Sequence, residues 1–198
     1  MSAIDPRVLL IGGSSNVGKS TVAGLLGARP GWIHVSTDSL GRHPGRPWPT
    51  PWRAVPEHVA RHYLTLGPDQ LLRSVLVHYR NMEPSIRTLI ERHARGGEKL
   101  VLEGSALLPE TVAALRVAGM AAIFLTADDE LFRARIARES GLDGLDARGR
   151  EMVEKFIART LLYNAHMMEG VRAYGLPFLT VRGGESADEL ARACLAPG

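Results

Sequence analysis

The sequence predicts an α/β domain in which a parallel sheet is covered by helices on both faces. Two observations predict this fold class. First, apolar segments typical of buried strands alternate with segments of helical periodicity along the chain, as in parallel sheets with right-handed crossovers. Second, a length of 198 residues fits one domain large enough to bury a sheet between two helical layers. We therefore expect residues 1–198 to form one domain.

The predicted elements follow one another in a regular order. Each predicted strand is an apolar run bounded by glycine, proline or polar residues. The strands are predicted at residues 8–11, 32–36, 99–103, 120–126 and 177–181. Apolar residues at helical spacing predict the helices. These lie at residues 21–28, 57–66, 69–82, 84–95, 109–117, 129–139, 148–174 and 187–195.

A phosphate-binding loop is predicted between the first strand and the first helix. Gly13, Gly18, Lys19 and Ser20 fill the pattern G-x-x-x-x-G-K-S/T, in the required strand–loop–helix context. Glycine lets backbone N–H groups point at phosphate oxygens, and the helix N-terminus adds partial positive charge. Lys19 is expected to reach the phosphates and Ser20 to ligate Mg²⁺. The expected nucleotide-binding residues are Gly13, Ser14, Ser15, Asn16, Val17, Gly18, Lys19, Ser20 and Thr21.

Two acidic residues stand where predicted strands end. In open parallel sheets, ligands bind beyond the carboxyl ends of the strands. Asp38 follows the second strand and is a candidate for the base that takes a proton from an acceptor hydroxyl. Glu103 ends the third strand, where an acid would bind Mg²⁺, and it could instead be the base. A plain structural role for each carboxylate also stays open.

A long loop at residues 41–56 follows Asp38 and is rich in proline, tryptophan and arginine. Its five prolines exclude a helix or a central strand. Long loops in compact domains are usually functional, so we expect this loop to cover the acceptor substrate. The expected contact residues are Asp38, Arg42, Trp48, Trp52 and Arg53. In the alternative, the loop is a surface excursion whose tryptophans only pack on the core.

Arginines on the helix at residues 129–139 are candidates for binding phosphate. At 100° per residue, Arg135 and Arg138 fall on or beside the apolar stripe, whereas Arg133 points to solvent. An inward arginine needs an anionic partner, and a transferred phosphoryl group is one. In the alternative, the aliphatic parts of these arginines pack along the edge of the core and their charged groups extend into solvent. The glycine-rich segment 141–150, with its own arginines, is expected to close over a nucleotide as a lid.

Arg159 and four helical histidines receive no functional role. Arg159 lies at the edge of an apolar stripe on the helix predicted at residues 148–174. The histidines lack a cysteine or carboxylate partner at metal-ligand spacing, so they are interpreted as ordinary helix residues. They are His58, His62, His78 and His93.

Charge and cysteine content limit the partners and the location that we expect. The net charge of +3 comes from scattered arginines, whereas a nucleic-acid surface would be more densely basic. We therefore expect a small-molecule partner and no nucleic acid. Cys194 is the only cysteine, which excludes an intramolecular disulfide and favours a reducing compartment. With no signal-peptide layout and no apolar run of ~20 residues, a cytoplasmic protein without membrane contact is expected, monomeric or homodimeric.

Together, the phosphate-binding loop, Asp38, Glu103 and the arginine helix resemble P-loop small-molecule kinases related to nucleoside monophosphate kinases. Residues 12–20 and 35–40 are similar to chloramphenicol phosphotransferase, and residues 102–109 are similar to 2-phosphoglycerate kinases. The resemblance implies a three-layer α/β/α fold with strand order 2-3-1-4-5 and a helical lid. It also implies ATP and Mg²⁺ as ligands, with Asp38 near the acceptor hydroxyl. The loop at residues 41–56 matches neither group and leaves the acceptor open.

Three functional hypotheses follow from the sequence. The first is a kinase that transfers the γ-phosphate of ATP to a hydroxyl or phosphate of a small metabolite or antibiotic. The second is a nucleotide or polynucleotide kinase, whose substrate would stack on Trp48 and Trp52. The third is a nucleotide-dependent switch with slow hydrolysis, although the guanine motif N-K-x-D is absent from the sequence.

Overall fold

A five-stranded parallel sheet forms the centre of the protein. The computed structural model describes residues 5–41 and 43–196. The strands are β1 (Val8–Gly13), β2 (Trp32–Ser36), β3 (Lys99–Gly104), β4 (Met120–Ala127) and β5 (Phe178–Val181). Their order is β2-β3-β1-β4-β5, and every neighbouring pair is parallel. The predicted α/β class and strand order are therefore confirmed.

Helices cover both faces of this sheet. In the described residues they are α1 (Lys19–Gly27), α2 (Glu57–Thr65), α3 (Pro68–Arg95), α4 (Pro109–Ala114), α5 (Asp129–Ser140), α6 (Ala147–Ala173) and α7 (Ala187–Cys194). Val8 and Leu10 of β1 pack toward α3 and α6, whereas Leu9 and Ile11 pack toward α1 and α7. Successive strand residues point to opposite faces, so a strand covered on both sides is continuously apolar. No described helix has the length and apolar character needed to span a membrane.

Helix α3 corrects one sequence prediction. We predicted separate helices at residues 69–82 and 84–95, but α3 runs unbroken from Pro68 to Arg95 with Pro84 inside it. Proline removes one backbone hydrogen bond and crowds the preceding turn. Met82, Ile86 and Ile90 nevertheless share one buried face against the sheet. Packing of that apolar face therefore keeps the helix continuous across the proline.

Helix α4 is shorter than the predicted segment 109–117, because it ends at Ala114. The next residue, Leu115, has an extended backbone and is buried in the same core cluster as β1 and α3. Burial of this leucine is favourable only if the chain leaves the helix, so core packing sets the end of α4.

The loop at residues 41–56 is anchored to the core by one of its tryptophans. Trp48 is 5% exposed and packs edge-to-face on Phe156 of α6, with ring centroids 4.9 Å apart. The hydroxyl of Tyr63 in α2 donates a hydrogen bond of 3.0 Å to the carbonyl oxygen of Gly45. Trp52 stands at the tip of the loop and is 91% exposed. The described part of this loop, residues 41 and 43–56, contains no helix and no regular strand.

The two loop tryptophans should differ sharply in their contribution to stability. Trp48→Ala should lower the free energy of unfolding by about 3 kcal/mol, because it leaves a cavity beside Phe156. Trp52→Ala removes an exposed side chain and should change that free energy by less than about 0.5 kcal/mol. Urea unfolding of both variants measures the difference. Equal effects would contradict the anchoring role of Trp48.

Candidate active site

The loop between β1 and α1 has the backbone conformation of an anion-binding turn. Gly13 has φ 145°, and a Cβ there would lie 2.6 Å from the carbonyl oxygen of Leu125, so only glycine fits. Asn16 and Gly18 also have positive φ, at 64° and 109°. Gly18 is the N-cap of α1 and offers no side chain to the first N–H groups of the helix. Those N–H groups stay available to phosphate oxygens.

Three neighbouring elements hold this loop in place. The Ser14 hydroxyl donates to the Thr160 carbonyl of α6 at 3.1 Å, and the Ser105 hydroxyl donates to the Gly13 carbonyl at 2.9 Å. The Arg135 guanidinium of α5 donates to the Val17 carbonyl at 2.8 Å. Arg135 thus points inward, as the helical periodicity predicts. In this structure its guanidinium binds backbone carbonyl oxygens of the loop. Bonds from three directions make the loop rigid before a ligand arrives.

Lys19 is a buried cation at the end of the loop. Its side chain is held by a hydrogen bond of 2.8 Å from Nζ to the Ser14 carbonyl, and the residue is only 7% exposed. Burial lowers the pKa of Lys19, while the charges of Glu103 and Asp38 act in the opposite direction. An ammonium group in so dry a site interacts strongly with an anion.

Ser20 and Glu103 form a pair of hard oxygen ligands. The Ser20 hydroxyl donates to Glu103 Oε1 at 3.0 Å, and Glu103 is 2% exposed. A hydroxyl and a carboxylate fit Mg²⁺, which prefers oxygen ligands and keeps several water or phosphate ligands of its own. Among residues 5–41 and 43–196, no cluster of three or more His, Cys, Asp or Glu residues is arranged to hold a metal ion. Mg²⁺ in phosphate sites is usually held by one or two protein side chains together with phosphate and water oxygens, so a pair of protein ligands is compatible with such a site.

Asp38 lies beside this pair, at the end of the neighbouring strand. It occupies a 3₁₀ turn, Thr37–Ser39, that follows β2 directly. The Ser36 hydroxyl accepts a hydrogen bond of 3.3 Å from the Asp38 N–H, which fixes the turn. Ser36 pairs in register with Glu103, so the two strands end side by side. Asp38 is exposed, in contrast to Glu103.

The loop, Asp38 and Glu103 open into one cavity of about 1110 Å³. Of the predicted site residues, it is lined by Ser15, Asn16, Gly18, Lys19, Ser20, Thr21, Asp38, Arg53, Glu103, Arg135 and Arg138. Gly13, Ser14 and Val17 lie behind this surface within the loop. Trp48 and Trp52 do not line the cavity, and Arg42 lies outside the described residues.

An ion pair links two sides of the cavity mouth. Glu139 of α5 pairs with Arg46 of the loop at residues 41–56 and accepts a hydrogen bond from the Asn16 side chain.

The segment 141–150, which was predicted to form a lid, lies away from this cavity mouth. Arg148 pairs with Glu57 of α2 at 3.2 Å, and neither Arg148 nor Arg150 lines the cavity. In this conformation the segment 141–150 packs beside α2 instead of covering the phosphate-binding loop.

Sequence reasoning missed Arg159 and a cluster of three histidines, of which His43 and His78 line the cavity. Arg159 is 6% exposed and lines the cavity. Its position between Phe156 and Tyr163 on an apolar stripe was the available signal. The His43 ring lies 5.2 Å from that of His62 and 5.4 Å from that of His78. Because these histidines are distant in sequence, no local spacing could have shown the cluster.

His43 is held in its neutral form. Burial first, and then the charge of Arg159, lowers the pKa of His43 to about 3. The same two causes lower the pKa of His62. A neutral imidazole has one nitrogen that can donate a hydrogen bond to a hydroxyl group and one that can accept a hydrogen bond from it.

The folded protein should lose stability as the pH falls below the ordinary histidine range. The pKa of His43 is about 3 in the folded protein and about 6.5 in an unfolded chain. Below about pH 6.5 the unfolded state therefore binds more protons, and stability falls progressively down to about pH 3. His43→Asn should reduce this loss in urea unfolding at pH 7, 5 and 4, whereas His166→Asn should not. An unchanged pH dependence in His43→Asn would contradict the assignment.

Solved structures that are similar to this chain include three kinases. A gluconokinase from Sinorhizobium meliloti 1021 is 19% identical, with 98% of this chain and 91% of that chain covered and a TM-score of 0.54. A shikimate kinase from Aquifex aeolicus is 12% identical, covering 96% and 94%, with a TM-score of 0.46. A thymidylate kinase from Candida albicans is 14% identical, covering 96% and 89%, with a TM-score of 0.47.

Sequence comparison adds no closer relative. No protein-family model and no curated protein sequence matches the chain. The narrower similarity to chloramphenicol phosphotransferase or 2-phosphoglycerate kinases stays a prediction. The gluconokinase match spans nearly the whole of both chains. The protein therefore shares its α/β fold with that gluconokinase.

Proposed function

We propose that the protein is a kinase that transfers the γ-phosphate of ATP to a hydroxyl group of a small molecule. One observation carries the proposal: Lys19, the Ser20–Glu103 pair and Asp38 line the same cavity. A cation, two Mg²⁺-type ligands and a carboxylate are the groups that phosphoryl transfer requires around the reacting phosphate. The cavity of about 1110 Å³ has room for a nucleotide and an acceptor together.

The residues of the phosphate-binding loop would bind and orient the nucleotide. Backbone N–H groups at the start of α1 and the Lys19 ammonium would neutralise phosphate charge. Ser20 and Glu103 would hold Mg²⁺, which when bound supplies additional positive charge to the phosphates. Arg138 lines the cavity with an exposed side chain and would contact the transferred phosphate, while Arg135 holds the loop.

Asp38 would act on the acceptor. Glu103 is buried and already bonded to Ser20, which favours a metal-binding role for it over that of a base. Asp38 is exposed to the cavity and makes no ion pair among the described residues. Its carboxylate would accept the proton of the attacking hydroxyl or orient that hydroxyl toward the phosphate.

The shape of the site supports a small acceptor. The acceptor side of the cavity is bounded by residues of the loop at 41–56, α2 and α3, including Arg53, His58 and His78. A polynucleotide kinase would use aromatic stacking surfaces, yet the loop tryptophans lie outside the cavity.

Turnover assays with an acceptor panel test the proposal. The protein with ATP and Mg²⁺ is incubated with polyols, sugar acids, nucleosides, nucleotides and oligonucleotides, and ADP and phosphorylated product are both quantified. We expect stoichiometric phosphorylation of at least one small hydroxylated compound. Stimulation only by oligonucleotides would favour a polynucleotide kinase. A protein partner that binds one nucleotide state, without any phosphorylated acceptor, would favour a switch.

A further inference from the structure

The Arg159 guanidinium is held against an aromatic ring at the wall of the cavity. Its guanidinium carbon lies 4.5 Å from the centroid of the Phe156 ring. Stacking on an aromatic ring restrains the plane of a guanidinium group and leaves its N–H edge free to bind. The residue is 6% exposed, and the surface it does expose lines the cavity.

The charge of Arg159 has no counterpart in the described part of the chain. No described acidic side chain forms an ion pair with it. Its Nε atom is buried and makes no hydrogen bond. Arginine is almost never fully buried without a partner, because a desolvated charge is costly unless it is paired. A ligand that brings an oxyanion into the cavity would supply that partner.

The side chains around Arg159 do not supply a negative charge. Burial raises the pKa of Tyr79 to about 12, which keeps its hydroxyl protonated. Burial lowers the pKa of His43 to about 3 and also lowers the pKa of His62, and the Nε2 atom of each is buried without a hydrogen-bond partner. Among the described residues, this part of the cavity is lined by Arg159 and His43, and His62 packs against the His43 ring.

Asp38 lines the same cavity as this group. The charges of Asp38 and Arg159 both act on the hydroxyl of Tyr79, in opposite directions. Tyr79 itself lines the cavity, as do Asp38, Arg159 and His43. A small molecule beside Tyr79 could therefore present one end to Arg159 and the other to Asp38.

We propose that the acceptor is a small hydroxylated acid, whose carboxylate or phosphate group is bound by Arg159 while Asp38 faces the hydroxyl to be phosphorylated. His43, which also lines the cavity, contacts the same molecule, and His62 packs against the His43 ring. The inference rests on the proposed kinase function and adds the chemical class of its acceptor. In the transfer step the acceptor oxygen forms a bond to the γ-phosphorus, the bond to the ADP oxygen breaks, and the hydroxyl proton passes to Asp38.

Matched ligand pairs test the inference without relying on turnover. Thermal unfolding is recorded with sugar acids of four to seven carbons, with the corresponding alditols and with the corresponding sugar phosphates. At least one acid or phosphate should raise the melting temperature, and its uncharged alditol should not. A difference in melting temperature between the carboxylate series and the phosphate series identifies which oxyanion the site binds. Equal stabilisation by acids and alditols, or by neither, overturns the inference.

Variants at Arg159 complete the test. Arg159→Gln should raise KM for the acid at least 100-fold and abolish its thermal stabilisation, whereas KM for ATP should change less than threefold. Arg159→Lys keeps the charge but not the planar fork, so part of the affinity should return. Arg133→Gln on the exposed face of α5 is the matched control. ATP binding checks that each variant is folded, because a misfolded protein would lose both ATP and the acid. If Arg159→Gln is misfolded, the affinity of Arg159→Lys for the acid tests the inference instead.

The two proposals fail in different ways. If alditols are phosphorylated as well as acids, the kinase proposal stands and the acidic acceptor is wrong. If acids stabilise the protein through Arg159 but no compound is phosphorylated, the anion site stands and the kinase proposal is wrong.

Discussion

Lys19→Met should lower kcat/KM for phosphoryl transfer by roughly 10³-fold, the scale at which a preorganised charge contributes in a dry site. The Lys19 ammonium is 7% exposed and sits at the start of α1 beside the loop backbone. In the proposed function it would therefore act on the phosphates without competition from bulk water. Steady-state rates with ATP and the best acceptor measure the loss. Rates close to wild type would refute the site.

The stability of the same variant separates a catalytic effect from unfolding. Burial lowers the pKa of Lys19, which means that the folded site disfavours its charge. Methionine has a similar length without that charge, so the free energy of unfolding should stay constant or rise. Lys155→Met is the matched control. Lys155 bonds the Leu64 carbonyl at 3.0 Å outside the cavity, so its loss should leave turnover unchanged.

Asp38→Asn should lower kcat by roughly 10²- to 10⁴-fold with the affinity for ATP retained. Asparagine keeps the size of the side chain and the Ser36 contact of the backbone, but it cannot accept the hydroxyl proton. Binding of a fluorescent ATP analogue and single-turnover rates measure the two effects separately.

Glu103→Gln is the matched variant for this test. Glu103 is bonded to Ser20, so the change should raise the Mg²⁺ concentration needed for half-maximal rate and spare kcat at saturating Mg²⁺. The reverse pattern, with a raised Mg²⁺ requirement in Asp38→Asn and a low kcat in Glu103→Gln, would exchange the two roles.

The architecture could be predicted because local sequence determines most of it. The apolar run at residues 8–11 fills both faces of β1, and this pattern leaves few alternatives to a covered parallel strand. Helix α3, with Pro84 inside it, is an element that local sequence rules predict incorrectly. A local rule places a helix boundary at a proline, whereas packing of α3 on the sheet favours continuity. No local pattern reports the size of that packing contribution.

The positions of the candidate site residues show the same difference between local and long-range effects. Lys19, Asp38 and Glu103 line one cavity because the carboxyl ends of neighbouring parallel strands meet at one edge of the sheet. Trp48 and Arg159 depend on long-range packing. The apolar stripe around Arg159 in the sequence indicates burial, but its contact with Phe156 at the cavity wall becomes visible only in the folded structure.

The anchoring of Trp48 has a consequence for selectivity. Because Trp48 and Tyr63 fix the loop before any ligand binds, little chain entropy is lost when a ligand packs against it. Discrimination between related compounds then arises from fit to a preformed surface and not from a closing motion that only the correct compound can trigger. Such a surface admits close analogues readily and rejects larger ones by steric exclusion.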